Sequence, residues 1–282
     1  MSAWWRRLRW WILACIKVVT TRLPYLNRSF VILSSGRSGS TLLVQLLNTN
    51  RQIACAKELL NRELLDQYQL KGADERTLTN YLLSMLLPMK LWLPYTGFKL
   101  FNEQLEYCKL SLRQVIQDLN FPPVIVLYRE NLLETYVSLK IAFQTDVWYS
   151  EKQVNKYSVM VDWEDFYQYA EDERMRWKKS LSALGGVKKI LVTFDQLTGG
   201  QQGETMHRLF GFLNLTTNCP ITAASSVRQN PLPLEKKVLN YHEIMERVRE
   251  TGYPIMMKLN LFAENESLDH GRVQVNETSH SI

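Results

Sequence analysis

Ser34-Ser35-Gly36-Arg37-Ser38-Gly39-Ser40-Thr41 is a run of hydroxyl side chains, two glycines and one arginine, a composition suited to holding an oxyanion. The glycines let the backbone fold back so that several N–H groups converge on one centre. A helix predicted from Ser40 onward adds its positive end, and the Arg37 guanidinium supplies a fixed fork of donors. Phosphate or sulfate fits such a loop. The Gly-x-x-x-x-Gly-Lys-Ser/Thr spacing of a nucleoside triphosphatase is missing, and with it the lysine that reaches the β- and γ-phosphates. A second anion signal lies further along the chain, where the β-branched run Val124 to Tyr128 ends in Arg129 and Ser138 follows nine residues later on a predicted helix. An arginine at the carboxyl end of a strand lies on the ligand side of an open α/β sheet. Alone, Arg129 would read as one half of a surface salt bridge. Paired with the first loop, it reads as the seat of a second phosphate.

These residues need strands to carry them and helices to cover the strands. Phe30 to Leu33, Gly97 to Phe101, Val124 to Tyr128 and Lys189 to Phe194 are the predicted strands, and Ile53 to Glu58 is a short extended or turn segment. Helices are expected over Thr41 to Asn48, Asn61 to Tyr68, Asp74 to Leu87, Leu110 to Leu119 and, as a long surface helix, Asp162 to Leu184. Pro88 is expected to end the third of these, so the apolar run Tyr81 to Leu93 is a core helix followed by a loop and not a membrane span. Strands separated by helices imply parallel connections and a three-layer α/β fold, a central parallel sheet flanked by helices. Gln144 to Val161 is polar and aromatic without a clear period, a flap over the site. From Phe262 onward the sequence has the composition of a disordered tail.

With 282 residues, 46% of them hydrophobic, the chain can bury a large core. Six of its 34 Lys and Arg lie within Met1 to Arg28, where there is no acid, so the other 28 face 28 Asp and Glu in the remainder. A body so balanced argues against a general nucleic-acid binder. Cys15, Cys55, Cys108 and Cys219 show no C-x-x-C spacing, which argues against a zinc site and a disulfide framework and for a reducing, cytoplasmic compartment. At 100° per residue, Trp4, Leu8, Trp11, Ile12, Cys15, Val18 and Val19 gather on one helical face, and Arg6, Arg9, Lys17 and Thr20 on the other, with Trp10 and Leu13 as exceptions. The apolar stretch falls short of the about 20 residues a span requires. Residues 1–28 are therefore expected to form a basic amphipathic segment lying on a membrane surface, its arginines on anionic lipid, with a helix packed on the domain as the ordinary alternative. Sequons at Asn27, Asn214, Asn265 and Asn276 leave a lumenal location open.

Four separated segments resemble the sulfotransferases that use 3′-phosphoadenosine 5′-phosphosulfate (PAPS), most of all bacterial carbohydrate members of the nodulation-factor and trehalose type. Arg37-Ser38-Gly39-Ser40-Thr41 is similar to the family's 5′-phosphosulfate loop, and Arg129 with Ser138 to its 3′-phosphate motif. Val192-Thr193-Phe194-Asp195-Gln196-Leu197, followed by Phe210-Gly211-Phe212-Leu213, resembles a conserved strand and helix of that family. Val227-Arg228-Gln229-Asn230 with Asn240-Tyr241-His242-Glu243-Ile244 resembles the C-terminal segment of the bacterial members. Phe194 stands where the family usually has Tyr, and Asp195-Gln196 where it has Glu-Asp. The resemblance implies a P-loop-like fold, a sulfotransferase domain over residues 29–261 and a tail over 262–282.

It also implies roles. Ser35, Gly36, Arg37, Ser38, Gly39, Ser40 and Thr41 would bind the 5′-phosphosulfate of the co-substrate, Arg129 and Ser138 the 3′-phosphate, and Arg228 would close over it. No metal is expected. An acceptor hydroxyl needs a base, and Glu58, in a Lys57-Glu58-Leu59-Leu60-Asn61 sequence like those of carbohydrate members, is the candidate; a cap on the helix beginning near Asn61, or a plain surface charge, is its ordinary alternative. Lys99, in a Gly-x-Lys strand, would neutralise transferring oxygens, or snorkel at a strand end. Trp148 and Tyr149 would stack on a sugar face, unless they pack in the core. His207 and His242 are read as structural. The expected acceptor is a carbohydrate or glycolipid; the competing readings are a P-loop nucleotide kinase, which needs Mg²⁺, and a non-catalytic nucleotide-binding protein at a membrane surface.

Overall fold

The structure is a computed structural model that describes residues 28–148, 157–215, 230 and 232–259. The expected basic segment up to Asn27, the tail, Tyr149 and Arg228 lie outside the described residues. The described chain falls into two compact units. The first holds 28–128 and 187–215, the second 129–148, 157–186, 230 and 232–259.

The first unit is built on β1 (Ser29–Ser34), β2 (Ile53–Glu58), β3 (Tyr95–Phe101), β4 (Val124–Tyr128) and β5 (Lys189–Thr193). They form one sheet in the order β2-β3-β1-β4-β5, and every pairing is parallel. β1 and β4 are buried at every residue, which is why their sequences are continuous apolar runs without alternation. The three-layer expectation holds: α1 (Ser40–Asn48), α2 (Arg62–Gln67), α3 (Glu75–Trp92), α4 (Asn102–Tyr107), α5 (Leu112–Asp118), α8 (Phe194–Thr198) and α9 (Gln202–Phe212) flank the sheet. α1 and α9 pack Leu43, Leu47, Met206 and Phe210 against Phe30, Ile32, Ile125 and Val192, forming one continuous core.

The segments after α1 and around Pro88 differ from expectation. Ile53–Glu58 is a full edge strand, and its exposed side is partly closed by a side chain: the Asn48 amide donates to Cys55 O at 3.0 Å and accepts from Cys55 N at 2.7 Å, standing in for a missing strand. Helix α3 runs through Pro88. A helix-interior proline costs roughly 3 kcal/mol. Burying Leu78, Leu82 and Leu86, each at most 2% exposed, contributes roughly 2 kcal/mol apiece and outweighs that cost.

The second unit comprises α6 (Leu132–Thr145), α7 (Trp163–Ala183), α10 (Leu234–Lys237) and α11 (Tyr241–Thr251). α7 matches the long helix expected between Asp162 and Leu184, with Asp162 as its cap accepting from Asp165 N. Trp177 is fully buried and donates to the buried Glu173 at 2.8 Å. The chain after α11 returns along the start of α6: Leu132 N donates to Ile255 O at 2.9 Å and Met257 N to Glu130 O at 2.8 Å. Tyr253 donates to Glu171 at 2.6 Å; burial, together with that carboxylate, pushes its phenol up to about 12. No helix among the described residues is long and apolar enough to cross a membrane.

Candidate active site

The anion loop leaves β1 at its carboxyl end and enters α1, the strand-to-helix junction expected from the sequence. Arg37 takes a positive φ of 65°, and Gly39, at 85°, is the helix N-cap in the left-handed region. No side chain caps α1 and no acid lies in its first turn, whereas α2, α5, α6, α7 and α8 are each capped by Asn, Ser, Asp or Thr. Ser35, Ser38 and Ser40 are buried within the turn, and the Ser38 hydroxyl donates to Ser35 O at 2.8 Å. Asn102 and Glu103, at the start of α4, brace it from outside. The Asn102 amide donates to Ser35 Oγ at 3.4 Å, and Glu103 Oε1 accepts from Gly36 N at 3.0 Å.

Gly39 is required for two reasons. Its φ suits glycine, and a Cβ there would stand 2.6 Å from Cδ2 of the Phe194 ring. Phe194 reaches this place because β5 ends one residue earlier than expected. Thr193 caps α8 by accepting from Gln196 N at 3.2 Å while Gln196 Oε1 accepts from Thr193 N at 3.0 Å, so Phe194 opens the helix.

Glu58 and Lys99 meet beside this loop through a bulge. Cys55 pairs with Gly97 and Ala56 with Phe98, but the next partner of β2 on β3 is Glu58, opposite Lys99, so Lys57 is an extra residue. Register partners of neighbouring strands share a face of the sheet. Without the bulge Lys57 would stand against Lys99; with it a carboxylate does. Lys99 Nζ lies 2.8 Å from Glu58 Oε1 and 3.0 Å from Thr41 Oγ1, and Lys99 is only 3% exposed. A buried ammonium is stable there because it is paired. Gln104 holds the other carboxylate oxygen: its Nε2 donates to Glu58 Oε2 at 3.5 Å while its Oε1 accepts from Phe101 N at 3.1 Å.

Glu58 does not cap α2, since Asn61 does so by accepting from Leu64 N at 2.8 Å. Lys99 is a buried bridge and not a snorkelling strand-end lysine. Lys57 is exposed at the bulge. In the second unit, Arg129 follows β4 directly, is 8% exposed and pairs with Glu134 in the first turn of α6; Ser138 lies one turn beyond Glu134 on the same helix. Trp148 is 47% exposed and meets Phe143, itself 66% exposed, edge to face at 4.9 Å, so it is not core packing. His207 and His242 are exposed helix residues. Burial raises the thiol pKa of Cys55, on β2, well above its ordinary value. Among the described residues, no group of three or more His, Cys, Asp or Glu could hold a metal ion.

Sequence reasoning missed Glu103, Gln104, Glu134 and the packing of Phe194 on Gly39. Only the Asn131-x-x-Glu134 spacing carried a signal, that of a helix start.

The fold is that of an α/β protein with a Gly- and Ser-rich turn at the carboxyl edge of a parallel sheet. The crystal structure of the sulfotransferase STF9 from Mycobacterium avium is similar to this chain at 14% identity, over 87% of this chain and 81% of that one, with a TM-score of 0.46. No protein-family model and no curated protein matches the chain.

Proposed function

We propose that the chain transfers a sulfuryl group from PAPS to a hydroxyl of a carbohydrate or glycolipid. The observation that carries this reading is the Lys99 bridge, which ties the Glu58 carboxylate to Thr41 in the first turn of the anion-loop helix. A proton acceptor and an anion cradle that share one ammonium are the two parts sulfuryl transfer needs. In the reaction the acceptor oxygen forms a bond to sulfur as the bond between sulfur and the bridging phosphate oxygen breaks. Glu58 takes the hydroxyl proton, and the electron pair leaves on the phosphate of 3′,5′-adenosine bisphosphate. Arg37 and the N–H groups of residues 38–41 meet the charge that develops there, as preorganised donors do in other group transfers. Lys99 keeps Glu58 in place and offers its charge to the transferring oxygens. Arg129, Ser138 and Arg228 are assigned to the 3′-phosphate, and Trp148 to the sugar face.

Incubation with radiolabelled PAPS and a panel of saccharides and glycolipids, without added metal, tests the activity. Label should move into an acceptor. Label staying on the donor, together with Mg²⁺-dependent transfer from γ-labelled ATP, would replace this reading by the kinase. Residues 1–28 are assigned to an anionic membrane surface on the cytoplasmic side. Deleting residues 1–24 should release the protein from phosphatidylserine vesicles, and unchanged co-sedimentation would refute the assignment.

A further inference from the structure

Glu134 is in an unusual position for an acid in the first turn of a helix. Asn131 caps α6 by accepting from Glu134 N at 3.0 Å, and in such a box the acid three residues on normally reaches back to the N-cap N–H. Here its carboxylate is held by Arg129. Glu134 and Ser138 are four residues apart on α6 and so lie on one face, one above the other. The carboxylate therefore sits on the arginine that the proposed function assigns to the 3′-phosphate, one turn from the serine assigned to the same group. The first unit repeats the arrangement, with Glu103 on the Gly36 N–H of its own anion loop.

We infer that Glu134 is a resident counter-anion: it neutralises the buried Arg129 guanidinium while the site is empty, and must leave that guanidinium when a 3′-phosphate binds. The physics fixes the sign of both effects. An arginine 8% exposed is costly without a partner. A phosphate dianion brought beside a carboxylate is repelled unless the carboxylate withdraws. Glu134 thus stabilises the empty protein and weakens its hold on the bisphosphate product, which favours release after each turnover. This rests on the proposed donor, and the test separates the two.

Titration calorimetry of the full chain with 3′,5′-adenosine bisphosphate and with 5′-AMP, wild type beside Glu134→Gln, reads the effect. In Glu134→Gln the bisphosphate should bind about tenfold or more tightly, because a like charge is gone. AMP, which lacks the 3′-phosphate, should bind as before, and the ligand-free melting temperature should fall. A purely structural Glu134 would lower stability and bisphosphate affinity together. Unchanged or weaker bisphosphate binding in the variant, with a wild type that prefers bisphosphate to AMP, overturns the inference and leaves the donor assignment standing. A wild type without that preference overturns the donor assignment, and the inference with it. Should Glu134→Gln not fold, Glu134→Ala removes the same charge, and the same tightening is expected of it.

Discussion

Glu58→Gln should lower sulfuryl transfer by roughly a hundredfold to ten-thousandfold, the range a positioned general base contributes, with no change in bisphosphate affinity. The isosteric amide oxygen can still accept from Lys99 Nζ, while its NH2 then faces Gln104 Nε2 and the buried ammonium loses its counter-charge, so the melting temperature should fall although the Lys99 contact with Thr41 stays within reach. What the amide cannot do is take a proton from the acceptor. The kinetic signature is a loss in kcat with the donor KM preserved. Steady-state transfer assays and equilibrium dialysis with the bisphosphate separate the two quantities. Equal turnover by variant and wild type would remove Glu58 from the mechanism, and a parallel loss of donor affinity would recast it as part of the anion cradle.

Gly39→Ala should damage both the fold and the loop. The methyl would stand 2.6 Å from Phe194 Cδ2, at a φ of 85° that non-glycine residues rarely adopt. A left-handed residue costs about 1–2 kcal/mol, and an overpacked contact with the half-buried aromatic ring adds about 1–3 kcal/mol. Urea denaturation should show a total loss of about 2–5 kcal/mol from those two terms. The anion affinity proposed for the loop should fall with it, because Gly39 is the N-cap of the helix to which that proposal assigns the donor N–H groups. Trimming the ring in Phe194→Ala, combined with Gly39→Ala, should recover the packing part and leave the conformational part. A Gly39→Ala protein as stable as wild type would contradict the contact between Gly39 and Phe194.

Much of this architecture was legible in the sequence. The apolar runs of β1 and β4 announced strands, and the glycine and hydroxyl residues between β1 and α1 announced a turn into a helix, because both signals are local. Arg129 at a strand end was equally local, whereas Asp162, expected inside its helix, is the residue that caps it. The bulge at Lys57 was not, since nothing in Ala-Lys-Glu states which of the last two residues will face Lys99; the register with β3 decides that. Glu103, Gln104 and Phe194 act on residues far away in sequence, so their roles exist only once the chain is folded. Pro88 misled in the opposite direction: a strong local breaker lost to the burial of three leucines in α3.

The measurement that bears most directly on the central claim is thermal unfolding of the purified protein with 3′,5′-adenosine bisphosphate or 5′-AMP, with Arg129→Ala alongside. A ligand that binds only the folded state raises the melting temperature. The bisphosphate should stabilise the wild type and AMP should do so far less, and the difference should vanish in Arg129→Ala. No shift with the bisphosphate at saturating concentration, or an equal shift with both nucleotides, would contradict the assignment of a PAPS site.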